Sequence, residues 1–323
     1  MKRIKILSID GGGIRGIIPA MVLAEIERRT KKRIAGLCQL VAGTSTGGIL
    51  ALGVTKSGPD GKPQFSAEDM VQLYEKEGKK IFSRTNWQAL RSLGNLANEK
   101  YPARGLEAVL EKYFGQSRLK DALLPVVISS YEIERCVPFF FKSERAKKDP
   151  AYDFPIKQVA RATSAAPTYF EPMKINLEKS SDYYALIDGG VFANNPAMCG
   201  YVEAKVNYPG ASDFLLFSLG TGELTRPLFY PKAKNWGLAQ WAQPLLDVVF
   251  DGVSDTVDYQ LQQLLPPKNN IPCYYRFQTR LNQSQNSLDE AMPINIRALK
   301  LSAQTLISEN NKNLDILCEE LVK

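Results

Sequence analysis

The stretch that most constrains this chain is Gly43-Thr44-Ser45-Thr46-Gly47, which lies between two apolar runs. The first run, 37–42, is typical of a strand, and the second, 49–54, of a helix. A serine with a glycine two residues away on each side is typical of a sharp strand-to-helix turn that exposes a nucleophilic hydroxyl. The glycines at 43 and 47 suit such a turn because it needs unusual dihedrals and leaves no room for side chains. Ordinary glycine-rich turns share this short pattern, so the rest of the chain must decide between the two interpretations.

A second glycine-rich loop follows the first predicted strand, at 4–9. Asp10-Gly11-Gly12-Gly13-Ile14-Arg15-Gly16 leads into a helical pattern over 17–29. Gly11, Gly13 and Gly16 match the G-x-G-x-x-G fingerprint of dinucleotide-binding sites, but the acidic residue expected about 20 residues later is missing. The same loop can serve as an oxyanion hole, because glycine amides ahead of a helix can point at one oxygen. The sequence pattern alone leaves both uses open.

The chain contains no histidine. A Ser-His-Asp triad needs an imidazole to carry the proton, so a nucleophilic Ser45 requires another base. Asp188 is the best candidate, because it follows a predicted strand at 184–187 and precedes Gly189 and Gly190. Sites in α/β sheets form at the carboxyl ends of strands, although an Asp in this position can also merely cap a turn. A carboxylate of ordinary pKa, about 4, is a weak base for serine, so the oxyanion hole would supply a large share of the rate.

The alternation of predicted strands and helices indicates an α/β fold with a mostly parallel central sheet flanked by helices. The runs at 125–133 and 137–141 are typical of two strands joined by a hairpin-like turn. The amphipathic stretch 236–265 is interpreted as a core-packing helix. The alternative is a lipid-facing surface, but the stretch lacks the Lys/Arg-rich polar face expected of one. The mixed segment 81–104 is either a flap over the site or an irregular packed excursion. We expect a catalytic core over 1–222 and an extension over 223–323 that packs on the same domain.

Composition narrows the classes of function. The net charge of +7 is compatible with binding to anionic lipid head groups or to nucleic acid. The sequence lacks the dense basic block with interleaved aromatic residues that would indicate nucleic-acid binding. The five cysteines are too far apart for a C-x-x-C metal site and are typical of reduced core thiols in a cytosolic protein. We therefore expect no metal and no cofactor. No apolar stretch reaches the roughly 20 residues that span a membrane, which predicts a cytoplasmic protein that visits membrane surfaces peripherally.

Taken together, these motifs resemble those of the patatin-like phospholipases, a family of lipid acyl hydrolases. The resemblance rests on the loop 10–16, the elbow 43–47, and Asp188-Gly189-Gly190 with the Asn194-Asn195-Pro196 that follows. The segments 160–167 and 218–222 also look like family segments, and all of them occur in the family order. Each motif is weak alone, but the set is specific and spans about two-thirds of the chain.

The resemblance implies a three-layer αβα fold and a catalytic Ser-Asp dyad. By position, Ser45 would be the nucleophile and Asp188 the general base. The amides of Gly12 and Gly13 would form the oxyanion hole, and Arg15 beside them would orient the loop or attract a phosphate head group. The substrate would be a phospholipid or another acyl lipid, and hydrolysis would not need calcium.

Other interpretations remain beside this one. The loop at 11–16 could bind a nucleotide, and some bacterial members of the family are phospholipases switched on by cyclic nucleotides. A storage or scaffold role on the same fold is a further alternative. The sequence does not indicate the preferred lipid or the oligomeric state.

Overall fold

The computed structural model describes residues 3–82, 101–177, 181–223, 227–281 and 287–323. In these residues a single sheet of eight strands forms the centre of the fold. The strands are β1 (Ile4–Ile9), β2 (Leu40–Thr44), β3 (Val126–Glu132), β4 (Val137–Lys142), β5 (Met173–Asn176), β6 (Tyr183–Asp188), β7 (Phe214–Leu219) and β8 (Tyr274–Phe277).

The strand order is β5-β6-β3-β2-β1-β7-β8, with β4 paired to β3. Strands β3, β2, β1, β7 and β8 are mutually parallel. Strands β4 and β6 are antiparallel to β3, and β5 is antiparallel to β6. The predicted mostly parallel sheet is therefore confirmed, and so is the predicted hairpin, which is β3–β4.

Helices cover both faces of the sheet. They are α1 (Ile17–Thr30), α2 (Thr46–Thr55), α3 (Ala67–Ile81), α4 (Ala103–Phe114), α5 (Ser143–Lys148), α6 (Ile156–Thr163), α7 (Gly190–Ala193), α8 (Ala197–Asn207), α9 (Tyr230–Ala233), α10 (Leu238–Leu264), α11 (Pro293–Glu309) and α12 (Asn311–Val322). Alternate residues of β1 enter different cores: Leu7 and Ile9 join one cluster, and Ile4 and Ile6 join the other. This period of two is what a strand buried on both faces requires. The expected three-layer αβα fold is confirmed.

The start of helix α3 is fixed by local hydrogen bonds. Ser66 opens α3 with a capping box, in which its hydroxyl oxygen accepts from the Asp69 amide and the Asp69 carboxylate accepts from the Ser66 amide. From the last third of the chain, β8 extends the sheet beside β7, and α11 packs against α1. These elements bring residues from the last third of the chain into contact with the loop at 10–16.

Three predictions need correction, and a fourth lies mostly outside the described residues. Strand β2 begins at Leu40 rather than at 37, because a short 3₁₀ turn occupies Ile34–Gly36. Helix α10 is not a core helix throughout, since Leu245 in its first half is 51% exposed. Cys136 is exposed in the β3–β4 turn, whereas Cys38, Cys273 and Cys318 are buried as expected. Most of the predicted flap, residues 83–100, lies outside the described residues.

Candidate active site

The sheet brings the ends of two strands together. Strand β2 pairs with the first half of β3, and its last residue, Thr44, lies opposite Ser129. Strand β6 pairs with the second half of β3, and its last residue, Asp188, lies opposite Ser130. Strand β4 occupies the opposite edge of β3, so β2 and β6 lie along the same edge. Because β2 is parallel to β3 and β6 is antiparallel, their carboxyl ends meet head to head. This register places Ser45, the residue after β2, against Asp188.

Ser45 lies on a strained turn between β2 and α2. Its φ is 55° and its ψ is −124°, a conformation that few non-glycine residues adopt. A Cβ at Gly43 would lie 2.4 Å from the carbonyl oxygen of Gly47, and a Cβ at Gly47 would lie 2.2 Å from that of Ile9. Both flanking positions therefore require glycine, and the turn has the geometry predicted for a nucleophile elbow.

The Ser45 side chain lies beside the Asp188 carboxylate, close enough to act on its pKa. The amide of Gly190 donates to Asp188 Oδ1 over 2.7 Å, and the side chain is buried. Burial raises the pKa of the Asp188 carboxyl to about 7, although the Ser45 side chain and the hydrogen bond from Gly190 oppose this shift. Gly189 must be glycine, because a Cβ there would lie 2.3 Å from Ser129 Oγ. At Gly190 the tightest contact would be 3.1 Å, to Asp188 Oδ1.

The loop at 10–16 lies beside the Ser45–Asp188 pair. The Gly11 amide donates to the Asn194 carbonyl oxygen over 3.0 Å, so it holds the loop rather than facing a ligand. Among the described residues, no acceptor is paired with the amides of Gly12 and Gly13, and both residues line a pocket with Ser45. Gly13 has a φ of 57°, and a Cβ there would lie 2.1 Å from the Leu288 carbonyl oxygen. These two amides are therefore available to an oxyanion at Ser45.

The other two predicted residues of the loop, Arg15 and Gly16, contact neighbouring segments of the protein. Arg15 is buried and donates from Nε to the Gly12 carbonyl oxygen (3.3 Å) and from Nη1 to that of Gly222 (3.4 Å). These contacts and the burial of the side chain fit the loop-orienting role expected for Arg15. Gly16 leaves room for α2, since a Cβ there would lie 2.3 Å from Thr46 Oγ1.

Thr163, at the end of α6, positions Ser45 and was missed by the sequence reasoning. Its hydroxyl oxygen accepts from the Ser45 amide over 2.9 Å, and its hydroxyl donates to the Ser129 carbonyl oxygen over 2.6 Å. Thr163 therefore ties the elbow to β3 at the register where β2 and β6 meet. The only sequence signal was its place in the segment 160–167, which gives no reason to choose this residue.

A buried ion pair under the loop was also missed. Arg276 on β8 donates from Nη2 to Asp10 Oδ2 over 2.6 Å and from Nη1 to Ser218 Oγ over 2.8 Å. Burial raises the pKa of the Asp10 carboxyl, and the Arg276 charge opposes this shift. Thr221 adds a hydrogen bond of 2.6 Å to the Gly11 carbonyl oxygen. The loop that presents the free amides is thus braced by residues from the last third of the chain.

A largely apolar pocket opens at the Ser45–Asp188 pair. Its walls include the following side chains: Ile49, Leu73, Leu106, Phe170, Phe250 and Leu288. Ser45, Asp188 and the two free glycine amides lie on the same pocket surface. The pocket wall thus combines a hydroxyl, a buried carboxylate and two free donors with apolar side chains that suit an aliphatic chain. In the described part of the chain, no three His, Cys, Asp or Glu side chains are grouped to hold a metal ion.

The fold and site define a three-layer α/β protein with a Ser–Asp pair at the carboxyl ends of two strands. The chain belongs to the patatin-like phospholipase family, whose family model matches residues 7–198. Patatin-like protein 4 of Arabidopsis thaliana is 31% identical, with 97% of this chain and 86% of that protein covered. A Solanum tuberosum protein named "Probable inactive patatin-3-Kuras 1" is also 31% identical, with 95% and 87% covered. Sequence identity of about 31% therefore does not show whether a chain is active, so the case for activity depends on the residues of the site.

Among solved structures, VipD from Legionella pneumophila is similar over 94% of this chain and 67% of that chain. The TM-score is 0.45 and the sequence identity is 12%. Among the described residues of this chain, no helix is both long enough and apolar enough to cross a membrane.

Proposed function

We propose that this chain is a calcium-independent lipid acyl hydrolase of the phospholipase A type, with Ser45 as nucleophile and Asp188 as general base. One observation carries the proposal: Ser45 and the buried Asp188 carboxylate line an apolar pocket together with Gly12 and Gly13, whose amides have no acceptor among the described residues. The residue pair supplies nucleophile and base, and the amides supply the electrostatic stabilisation that acyl transfer needs.

In the acylation step, Asp188 accepts the proton of the Ser45 hydroxyl as the oxygen attacks the fatty acyl carbonyl. The carbonyl oxygen becomes an oxyanion, which the Gly12 and Gly13 amides stabilise by about 3 kcal/mol for each good donor. Asp188 then returns the proton to the departing alcohol or lyso-lipid oxygen as the ester bond breaks. The acyl group remains on Ser45 as an ester.

In the deacylation step, water attacks the acyl carbonyl while Asp188 accepts one of its protons. The same two amides stabilise the second oxyanion. When the carbon–oxygen bond to Ser45 breaks, Asp188 returns the proton to the serine oxygen and the fatty acid leaves. In each step the Asp188 carboxylate accepts one proton and then returns it, so the same residue acts first as a base and then as an acid.

Burial makes Asp188 a better base than its residue type suggests. Its pKa of about 7 replaces the ordinary value near 4 on which the sequence argument relied. General base catalysis is most effective when the pKa of the base lies near the working pH. Asp188 can therefore do part of the work that a histidine does in a triad, and the demand on the oxyanion hole falls accordingly.

The proposed oxyanion hole would account for calcium independence. The amides of Gly12 and Gly13 have no acceptor among the described residues and line the pocket with Ser45, which supports their supplying the stabilisation that a bound cation would otherwise provide. The buried Arg15 side chain holds the loop through the Gly12 carbonyl, which keeps the neighbouring amides in place. The substrate class is a phospholipid or another acyl lipid presented at a membrane surface.

The contacts of the loop favour this use over nucleotide binding. The Gly11 amide is already bonded to Asn194, and a Cβ at Gly11 would lie 3.2 Å from the Ser45 Cβ. Dinucleotide sites use the first glycines of the fingerprint to let a pyrophosphate approach the backbone closely. Here the serine side chain and Asn194 occupy that approach.

The test uses a chromogenic medium-chain acyl ester and mixed phospholipid vesicles, each with and without chelator. The parent should release fatty acid at the same rate with chelator, and Ser45→Ala should release none. Ser308→Ala, which changes an exposed serine on α11, serves as the matched control and should behave as the parent does. Release that survives in Ser45→Ala would refute the nucleophile, and tight nucleotide binding by an inert parent would favour the rival use of the loop.

A further inference from the structure

Helix α9 and the first half of α10 carry apolar side chains that nothing in the described residues covers. Leu238 is 94% exposed, and Leu245 and Val248 are each about half exposed. Just before them, Phe229 is 61% and Tyr230 77% exposed. We call this surface the α9–α10 face; its members are Phe229, Tyr230, Lys232, Lys234, Leu238, Trp241, Leu245 and Val248.

The apolar stripe on α10 is regular, and Trp241 is its one partly buried member. Leu238, Trp241, Leu245 and Val248 recur at the spacing of one helical face. Ser254 and Leu261 are buried, and Phe250 lines the pocket. At roughly 100° per residue, the mean direction of these three residues lies about 180° from that of the stripe. The helix therefore packs against the protein with one side and presents an apolar stripe to the exterior with the other.

The chain around the start of the stripe is aromatic and cationic. Residues 227–246 include Lys232 and Lys234 but no aspartate or glutamate, and they contain two of the three tryptophans of the chain; the acidic residues of α10 begin at Asp247. Trp236 and Trp241 pack edge to face, with ring centroids 5.3 Å apart. Lys232 and Lys234 are exposed. Tryptophan and tyrosine favour the interface between lipid and water, and lysines beside an apolar face favour anionic head groups.

We propose that the α9–α10 face docks this chain on an anionic phospholipid bilayer, with the stripe inserted among the acyl chains and the lysines at the head groups. The proposal rests on the proposed function, because it names the surface from which substrate would reach the pocket. The same helix links the two, since Phe250 lies on the pocket wall only two residues beyond Val248. A second copy of the chain is a poorer occupant, because a two-fold contact would bring this cationic face against itself.

Vesicle binding tests the proposal in the Ser45→Ala background, which leaves the lipids intact. The probes are phosphatidylcholine vesicles with and without phosphatidylglycerol, and flotation measures the bound fraction. Leu238→Ser/Leu245→Ser should lower the partition coefficient about tenfold or more on vesicles that contain phosphatidylglycerol, because each leucine contributes buried apolar area. Lys232→Glu/Lys234→Glu should lower it about tenfold or more on the same vesicles at low salt and much less at high salt.

Ile294→Ser/Leu301→Ser is the matched control, because these two α11 side chains are also exposed, by 79% and 64%. This control should bind vesicles as the parent does. Equal binding by all the variants, or equal loss in the control, would overturn the proposal. So would sedimentation that shows a dimer in the parent and a monomer in the leucine variant, without vesicle binding by the parent.

A second readout separates docking from catalysis. With Ser45 restored, the ratio of turnover on vesicles to turnover on a soluble monomeric ester should fall about tenfold or more in the leucine variant. A fall in both rates together would point to damage at the site and would count against docking. If no variant hydrolyses any ester, the proposed function fails, whereas vesicle binding by the Ser45→Ala protein still decides the docking proposal.

Discussion

Replacing Asp188 with asparagine should stabilise the fold while abolishing hydrolysis. Burial raises the Asp188 pKa from 3.8 to about 7, so ionising this group in the folded protein costs more than in the unfolded chain. The asparagine amide oxygen can still accept from Gly190 and Ser45. The substitution therefore removes the charge and keeps the acceptor for those two donors.

The size of the effect depends on pH, with a sign fixed by the direction of the pKa shift. A carboxyl with a raised folded pKa lowers stability as pH rises from about 4 to about 7, because the unfolded state ionises first. The cost of ionising Asp188 is about 2 kcal/mol at pH 5 and about 4 kcal/mol at pH 8 by that linkage. Relative to the parent, Asp188→Asn should thus gain between about 2 and about 3 kcal/mol of unfolding free energy between these pH values.

Urea unfolding followed by tryptophan fluorescence at pH 5 and pH 8 measures this difference. Any fixed cost of the new amide group cancels, since it is present at both pH values. Asp255→Asn, which changes an exposed carboxylate on α10, is the control and should show no comparable change. A stability difference between Asp188→Asn and the parent that does not vary with pH would refute the raised pKa and the base role that depends on it.

Three further predictions concern the rate. The kcat/KM for ester hydrolysis should fall about tenfold per pH unit below about pH 7 and level off above it, because only ionised Asp188 accepts the serine proton; a flat profile down to pH 5 would contradict this. Thr163→Val should lower kcat about tenfold with little change in KM, because the Ser45 amide loses its acceptor, and Thr163→Ser should restore the rate. Gly13→Ala should abolish turnover, because a Cβ there would lie 2.1 Å from the Leu288 carbonyl oxygen. Gly61→Ala, which also has positive φ but no atom within 4 Å of the added Cβ, should keep full activity.

The parts of the site that depend on local chain geometry could be predicted from the sequence. The pattern of Gly43 and Gly47 around Ser45 is visible in five consecutive residues. The turn itself requires Gly43, whereas Gly47 is required by the Ile9 carbonyl oxygen of the neighbouring strand β1. The absence of histidine pointed to a carboxylate, and Asp188 stood out because it ends a strand and precedes two glycines. These signals do not depend on how the strands are ordered.

The parts that depend on register and on distant partners could not be predicted. The meeting of β2 and β6 requires that β6 run antiparallel to β3, which no local pattern specifies. Arg276 reaches Asp10 across 266 residues of sequence, and nothing near Arg276 marks it as a partner. Whether the amides of Gly12 and Gly13 lack an acceptor likewise depends on which carbonyl groups the fold brings near the loop.

Helix α10 shows a different limit. Its apolar period was recognised, but the period indicates only which residues share a face and not what covers that face. Leu238 and Leu245 belong to a stripe that faces outward, while Leu261 belongs to the stripe that packs on the sheet. Core packing was therefore wrong for the first half of the helix, and the proposed bilayer contact gives that half a physical role.

The central claim is that Asp188 activates Ser45 as a nucleophile, and covalent labelling tests it most directly. An alkyl fluorophosphonate loses fluoride to an activated serine oxygen and leaves a stable phosphonyl ester. Peptide mass spectrometry should find one adduct per chain, on Ser45, with labelling abolished in Ser45→Ala and strongly slowed in Asp188→Asn. An adduct on another residue, or labelling at the parent rate in Asp188→Asn, would contradict the claim.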